Sequence, residues 1–113
     1  MHEYSLVQAM VRRVEEEARA HNATSVHRVQ VRIGGLSGVE PDLFASAYEV
    51  LRPGTLCAGA ELVITREAIE WRCDVCGTMV PADGELVCPD CGWPARLIRG
   101  DDLLLEKIEL EVA

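Results

Sequence analysis

Cys73-Asp74-Val75-Cys76-Gly77 and Cys88-Pro89-Asp90-Cys91-Gly92 are two copies of one pattern, a C-x2-C-G knuckle, with eleven residues between the pairs. A two-residue spacer lets both thiolates of a tight turn reach one ion, and a second turn facing the first completes a tetrahedral cage with metal–sulfur distances of about 2.3 Å. Gly77 and Gly92 offer the positive φ that such turns need, which aims backbone N–H groups at the sulfurs. Four thiolates leave no position open for water, so the ion expected here is a staple. Zinc fits best, iron being the other metal that suits a four-sulfur cage. Two disulfides would require an oxidising compartment, and a thioredoxin-like redox pair a single C-x-x-C at a helix start. The knuckles lie in a stretch, roughly 70–99, that is rich in Cys, Gly, Pro and Asp and has no sustained apolar period. It reads as an inserted module, with Trp71 and Trp93 as its own small core.

Outward from the knuckles the periods become regular. Ile108, Leu110 and Val112 alternate with Lys107, Glu109 and Glu111 on one side, and Ala60, Leu62 and Ile64 alternate with Glu61, Val63 and Thr65 on the other. Both runs predict strands, as does Val29, Val31 and Ile33 against Arg28, Gln30 and Arg32, stopped by Gly34-Gly35. Pro41, followed by Leu43, Phe44, Ala47, Tyr48 and Leu51, predicts a helix that Arg52-Pro53-Gly54 breaks. From Ser5 to Ala20, at 100° per residue, Leu6, Val7, Met10, Val11, Val14 and Ala18 share an arc of about 140° and predict an amphipathic helix. The expected fold is α+β: two helices on a small three-stranded sheet, with a zinc-ribbon-like module inserted before the last strand. The expected division is 1–69 plus 101–113 for the discontinuous α/β domain and 70–100 for the zinc-binding domain.

The composition excludes several functions. Eleven Lys+Arg against 19 Asp+Glu give a net charge of -8, and aromatic residues make up only 4%. A nucleic-acid binder normally shows a basic face and stacking rings. No apolar run approaches the roughly 18 residues of a membrane-crossing helix. Glu3 stands where a signal peptide carries basic residues, and Gln8, Arg12 and Arg13 interrupt the apolar run. The expectation is an intracellular, cytoplasmic protein with reduced thiols. Gly-x-Ser-x-Gly, His-Glu-x-x-His and phosphate-loop motifs are absent from the sequence, and three His are few for acid–base chemistry, so an enzyme is not expected. The other class to weigh is a zinc-ribbon module that docks on protein or nucleic acid.

Three His and a fifth cysteine remain. Cys57 follows Gly54-Thr55-Leu56 alone and reads as a small buried hydrophobe. His21 and His27 flank Asn22-Ala23-Thr24-Ser25 in an expected helix-to-strand turn and read as exposed polar residues. His2 differs by its position. The α-amino nitrogen of Met1, the amide nitrogen of His2 and the near imidazole nitrogen of His2 can close fused chelate rings around one ion, in the planar arrangement that Ni(II) and Cu(II) prefer.

Met1-His2-Glu3-Tyr4-Ser5-Leu6, then Gly34-Gly35-Leu36-Ser37-Gly38-Val39-Glu40-Pro41, then the twin knuckles and a closing acidic-apolar strand resemble the HypA/HybF family of hydrogenase-maturation nickel metallochaperones over essentially the whole chain. The resemblance implies Ni(II) as cargo, held by His2 with the Met1 amine and supported by Glu3, and structural Zn(II) on Cys73, Cys76, Cys88 and Cys91. Glu40 is a further, weaker candidate near the nickel. It also implies a partner GTPase of the HypB type and delivery to the large subunit of [NiFe]-hydrogenase, by a protein that is a monomer or homodimer. Some members carry a His beside the knuckles; here Thr78 and Trp93 follow the glycines.

Overall fold

The computed structural model describes residues 2–112, which form two helices and six strands. The strand β1 (Ala23–Gly34) lies at the centre of a three-stranded sheet, parallel to β2 (Glu61–Glu67) and antiparallel to β6 (Leu103–Val112). Its alternation has a direct physical result. Val29, Val31 and Ile33 are buried under the helices, while Arg28 and Arg32 lie on the open face among carboxylates from both neighbouring strands. Arg28 meets Glu61 at 3.0 Å and Glu109 at 3.3 Å; Arg32 meets Glu106 at 2.9 Å and Glu67 at 3.6 Å.

The helix α1 (His2–Ala20) buries Val7, Met10, Val11, Val14 and Ala18, with Leu6 partly covered, so the predicted apolar arc is the packed one. Complete burial of a valine side chain contributes about 1.5–3 kcal/mol, which sets the scale for Val7, Val14 and Val29. The helix begins at His2, three residues before the expected Ser5. Glu3 in the first turn suits the positive end of the helix dipole. The turn after α1 is also shorter than expected: Asn22 takes φ 57 and the strand starts at once, so Thr24, Ser25 and His27 belong to β1. Asn tolerates the left-handed conformation, and that single residue reverses the chain.

The helix α2 (Pro41–Leu51) starts where Pro41 predicts. Glu40 is its N-cap, extended at φ -88 and ψ 115, and its carboxylate accepts the Asp42 N–H at 3.4 Å. Phe44, Ala47 and Tyr48 are buried. The Tyr48 hydroxyl donates to the Ala60 carbonyl at 2.9 Å, which ties α2 to the loop before β2 and leaves Cys57 fully buried beside it. Burial pushes the Cys57 thiol above its ordinary pKa, reinforced by the Glu15 charge, as expected of a packing residue. No helix of the described residues is long and apolar enough to cross a membrane.

A second sheet, absent from the sequence-based expectation, is built from β3 (Glu70–Cys73), β4 (Met79–Val80) and β5 (Ala95–Arg99) in the order β4-β3-β5. These strands are two to five residues long and carry Arg72, Arg96 and Arg99 in place of an apolar stripe, so they have no readable period. The expected tryptophan core is also corrected. Trp93 is 55% exposed and Trp71 only half-buried; the buried apolar side chains of this sheet and its knuckles are Cys73, Val80 and Cys88. So small a core cannot hold thirty residues unaided.

Where the two sheets meet, the backbone is drawn tight. The Gly34 N–H donates to Asp102 at 2.8 Å, Gly35 to Glu67 at 3.1 Å and Leu36 to Gly100 at 2.6 Å. A Cβ on Gly34 would stand 2.3 Å from the Gly100 carbonyl carbon. Glycine is required there by space, and Gly100, at φ 99, by conformation as well.

Candidate metal centres

The two knuckles fold as near copies. Cys73 accepts from Gly77 through its carbonyl at 2.9 Å, and Cys88 from Gly92 at 2.8 Å; the Cys73 N–H donates to Thr78 at 3.0 Å and the Cys88 N–H to Trp93 at 2.7 Å. Gly77 has φ 71 and Gly92 φ 73, the conformation their place in the motif predicts. In each knuckle the first cysteine is buried and the second exposed, and the four Sγ atoms lie within 4.8 Å of one another. The Cys73 and Cys91 sulfurs are 3.6 Å apart. That is too long for a disulfide. It is close to the edge of a four-sulfur tetrahedron, which at 2.3 Å bonds measures roughly 3.8 Å.

Electrostatics make the same case for a cation. The Cys76 N–H donates to the Cys73 sulfur at 3.3 Å, and such backbone donors bring that thiol down to about 7. Crowding works the other way on its neighbours: hydrogen bonds from Cys76 to Cys91 and Cys88, together with desolvation, push Cys76 up to about 12. Four sulfurs so close cannot all ionise alone, and a divalent ion supplies the charge that lets them. The donor set therefore fits a tetrahedral thiophilic metal, and zinc bound there would act as a structural staple of about 10–16 kcal/mol apparent binding energy. Around the cage, Arg96 grips Asp74 at 2.8 Å, the Arg72 guanidinium donates to the Gly77 carbonyl at 2.9 Å, and Thr78 donates to Asp90 at 3.2 Å.

The first turn of α1 is a different kind of place. His2 Nδ1 lies 3.6 Å from a Glu3 carboxylate oxygen, with the His2 side chain 59% exposed and that of Glu3 15%. The same oxygen accepts the Glu40 N–H at 3.2 Å. This backbone donor, first among the causes, holds the Glu3 carboxyl below its usual range, so it stays charged in moderate acid. The structure thus brings His2, Glu3 and Glu40 together across 37 residues of sequence. The Glu40 side chain is engaged on the α2 N-terminus, while its N–H orients Glu3. Met1, whose amine the chelate expectation requires, lies outside the described residues. His21 and His27 are exposed and sit elsewhere: the His21 ring contacts the Glu17 carbonyl at 2.9 Å, and the His27 ring contacts Glu111 at 2.8 Å. Sequence reasoning passed over the apolar groove beside Glu3, lined by Tyr4, Leu43, Ser46, Ala47 and Val50. Val50 is not in the apolar set that predicts α2, but Leu43 is, and the structure leaves it 56% exposed because only Phe44, Ala47 and Tyr48 face the core.

An α+β unit joined to a second small sheet that brings four thiolates together fits a protein that binds a metal ion. A family model described as "Hydrogenase/urease nickel incorporation, metallochaperone, hypA" matches residues 1–110, and the chain belongs to that family. It is 40% identical over 114 residues to the hydrogenase maturation factor HypA of Aquifex aeolicus, covering 99% of each chain, and 36% identical over 115 residues to that of Shewanella oneidensis, covering 100% and 98%. Among solved structures, it resembles the solution structure of the Ni metallochaperone HypA from Helicobacter pylori at a TM-score of 0.70, with 30% identity and 98% of each chain covered. A second solution structure of a HypA protein matches at 0.78, with 31% identity over 100% of this chain and 98% of the other.

Proposed function

We propose that this chain carries Ni(II) at its N-terminal end and delivers it to the large subunit of [NiFe]-hydrogenase, working with a HypB-type GTPase, in the cytoplasm. It is a carrier and not a catalyst. The nickel-binding unit is 1–69 plus 101–113, and the unit 70–100 holds zinc structurally on Cys73, Cys76, Cys88 and Cys91. The observation that carries the reading, beside family membership, is the bridge from the Glu40 N–H to Glu3, which fixes a charged carboxylate 3.6 Å from the His2 imidazole.

The nickel donors are the Met1 amine, the His2 amide nitrogen and His2 Nδ1, with Glu3 adjacent. His2 opens α1. Its N–H therefore belongs to the set that a helix leaves without an internal acceptor, and displacing that proton by a metal costs the helix no hydrogen bond. An exposed, incomplete donor set suits transfer, because a receiving protein can supply the missing ligand before the first ones let go. Surface charge supports a protein partner and not a nucleic acid: Arg28 and Arg32 are flanked by carboxylates, Arg96 pairs with Asp74 and Arg99 with Glu70.

The amine and the imidazole must both lose protons to bind the ion. Nickel affinity measured by calorimetry is therefore expected to fall as pH drops from about 8 to 6. One residue placed before Met1 should weaken nickel binding as much as His2→Ala does, with zinc content by elemental analysis untouched. Native nickel binding by the extended chain would refute the site.

A further inference from the structure

We propose that Cys73 and Cys91 are a peroxide-responsive pair, which hydrogen peroxide converts into a disulfide that links the two knuckles and frees any metal they hold. The release of metal rests on the metal-cage reading above; the disulfide rests on the thiols alone.

Three observations select this pair. The first is access. Each knuckle exposes its second cysteine, Cys76 or Cys91, and shields its first, Cys73 and Cys88 being 2% exposed. Oxidants reach accessible thiols first, and a shielded thiol beside one survives to capture the product. Cys57 is fully buried, and the same argument sets it aside. The second observation is proximity. The Cys91 sulfur lies 3.6 Å from that of Cys73 in the other knuckle, so an approach of roughly 1.5 Å reaches the length of a disulfide, about 2.05 Å. The third is the backbone. Cys73 is paired with Ala95 across β3 and β5, close in sequence to Cys91, so the two segments that the bond would join already lie side by side.

The chemistry balances with hydrogen peroxide as the oxidant. The Cys91 thiolate attacks one peroxide oxygen, the O–O bond breaks, and a sulfenic acid forms as hydroxide leaves. The Cys73 thiolate then attacks the Cys91 sulfur; the S–O bond breaks and a second hydroxide leaves. Each sulfur has given up one electron, the peroxide has taken both, and two protons from solvent turn the hydroxides into water. A disulfide sulfur lacks the thiolate charge that binds a metal, so a cage deprived of two of its ligands releases its ion. Because the new bond joins the knuckles, as a shared ion would, the second sheet keeps a tie between its parts. A dithiol reductant then restores both thiolates, and the loss of metal is reversible.

The test exposes the full chain, reduced and supplied with zinc, to a small excess of hydrogen peroxide. Remaining thiols are blocked with iodoacetamide, and the chain is digested at aspartate and glutamate without reduction. Cleavage at Asp74, Asp83, Glu85 and Asp90 separates all four knuckle cysteines, and cleavage at Glu61, Glu67 and Glu70 separates them from Cys57. By mass spectrometry the main early product should join the Cys73 and Cys91 fragments, lighter than the reduced pair by two hydrogens and split by dithiothreitol. Zinc, read with a chromophoric chelator, should leave in step with that link and be taken up again after reduction. A main early link within one knuckle, between Cys76 and Cys91, or to Cys57 would overturn the pairing. So would the absence of any link, or sulfinic acid as the main product, which would show that nothing captures the sulfenic acid in time. Zinc that stays bound while the link forms would overturn the release. A chain that takes up no zinc at the outset but still forms the link would overturn the metal-cage reading and leave the thiol pair standing.

Discussion

The knuckles and the first turn of α1 solve opposite problems with the same few residue types. At the knuckles, four donors from two matching turns converge within 4.8 Å, half of them buried, with backbone bonds repeated from one turn to the other. At the first turn of α1, one imidazole stands largely in solvent beside one carboxylate, and that carboxylate is held from across the fold by the Glu40 N–H. A complete donor set retains its ion; an incomplete one can give it up. On the carrier reading proposed above, retention and release would differ in donor count and burial, whichever metal is bound.

The most forceful way to break the comparison is to make the closed site incomplete. Cys73→Ser or Cys88→Ser removes a buried sulfur from a sheet that has only Val80 and the other buried cysteine to hold it together. Stoichiometric zinc, by elemental analysis, should be lost, and amide exchange over 70–99 should rise to near the unprotected rate. Protection in α1 and β1 should persist, and nickel affinity should change little. Global unfolding would show that the first sheet depends on the second.

Next in size is the joint between the sheets. Gly34→Ala drives a methyl group to 2.3 Å from the Gly100 carbonyl carbon, backbone against backbone. Overpacking of this kind costs about 1–3 kcal/mol and more where nothing can yield, and a fall in denaturation midpoint at unchanged m-value would register it. Tyr48→Phe should cost less, about 1 kcal/mol, since it removes one donor from the Ala60 carbonyl, which keeps its bond from Arg52 at 3.0 Å.

How far each region can be read from residues alone follows the same division. The first sheet and both helices are legible because their apolar positions repeat: Val29, Val31 and Ile33 at period two, and Val7, Met10, Val11, Val14 and Ala18 along one helical face. The four cysteines are legible because spacing fixes geometry, and Gly77 and Gly92 take the positive φ the motif demands. The strands β3, β4 and β5 are not legible, since they are two to five residues long and carry no apolar stripe to mark them. Trp93 misled because a large ring suggests a core, whereas its side chain is more than half exposed and the buried apolar residues there are Cys73, Val80 and Cys88. The contact of Glu3 with the Glu40 N–H is not legible as geometry because it depends on how α1 crosses α2. The motifs could nominate both residues, but only the packing supplies the hydrogen bond.

The open site can be sharpened by Glu3→Gln. The amide still accepts from the Glu40 N–H, so the turn keeps its position while the charge beside His2 disappears. Nickel affinity should fall about tenfold, the scale of losing one supporting group around a metal. The melting temperature at pH 7 should change far less than for Gly34→Ala. A large melting shift with unchanged nickel affinity would make Glu3 a structural clamp alone.

The smallest effect belongs to Glu70, at the entry to the second sheet. Arg72 and Arg99 both reach its carboxylate, and the Arg72 hydrogen bond is the main reason its pKa lies below the usual range. A carboxylate depressed in the folded state contributes its stability in full above the unfolded value, near 4.3, and loses it as pH falls through the lower folded value. The gap in melting temperature between the unaltered chain and Glu70→Gln should therefore be constant from pH 7 down to about 5 and close in stronger acid. Exposed pairs are screened, so the gap should also shrink in high salt. Any metal held by the four thiolates must stay bound throughout, because acid would release it by protonating the thiolates and mask so small an effect. A gap that widened as pH fell would mean that Glu70 acts through its shape and not its charge, and the ion pairs would then be a consequence of the second sheet and not one of the forces that hold it.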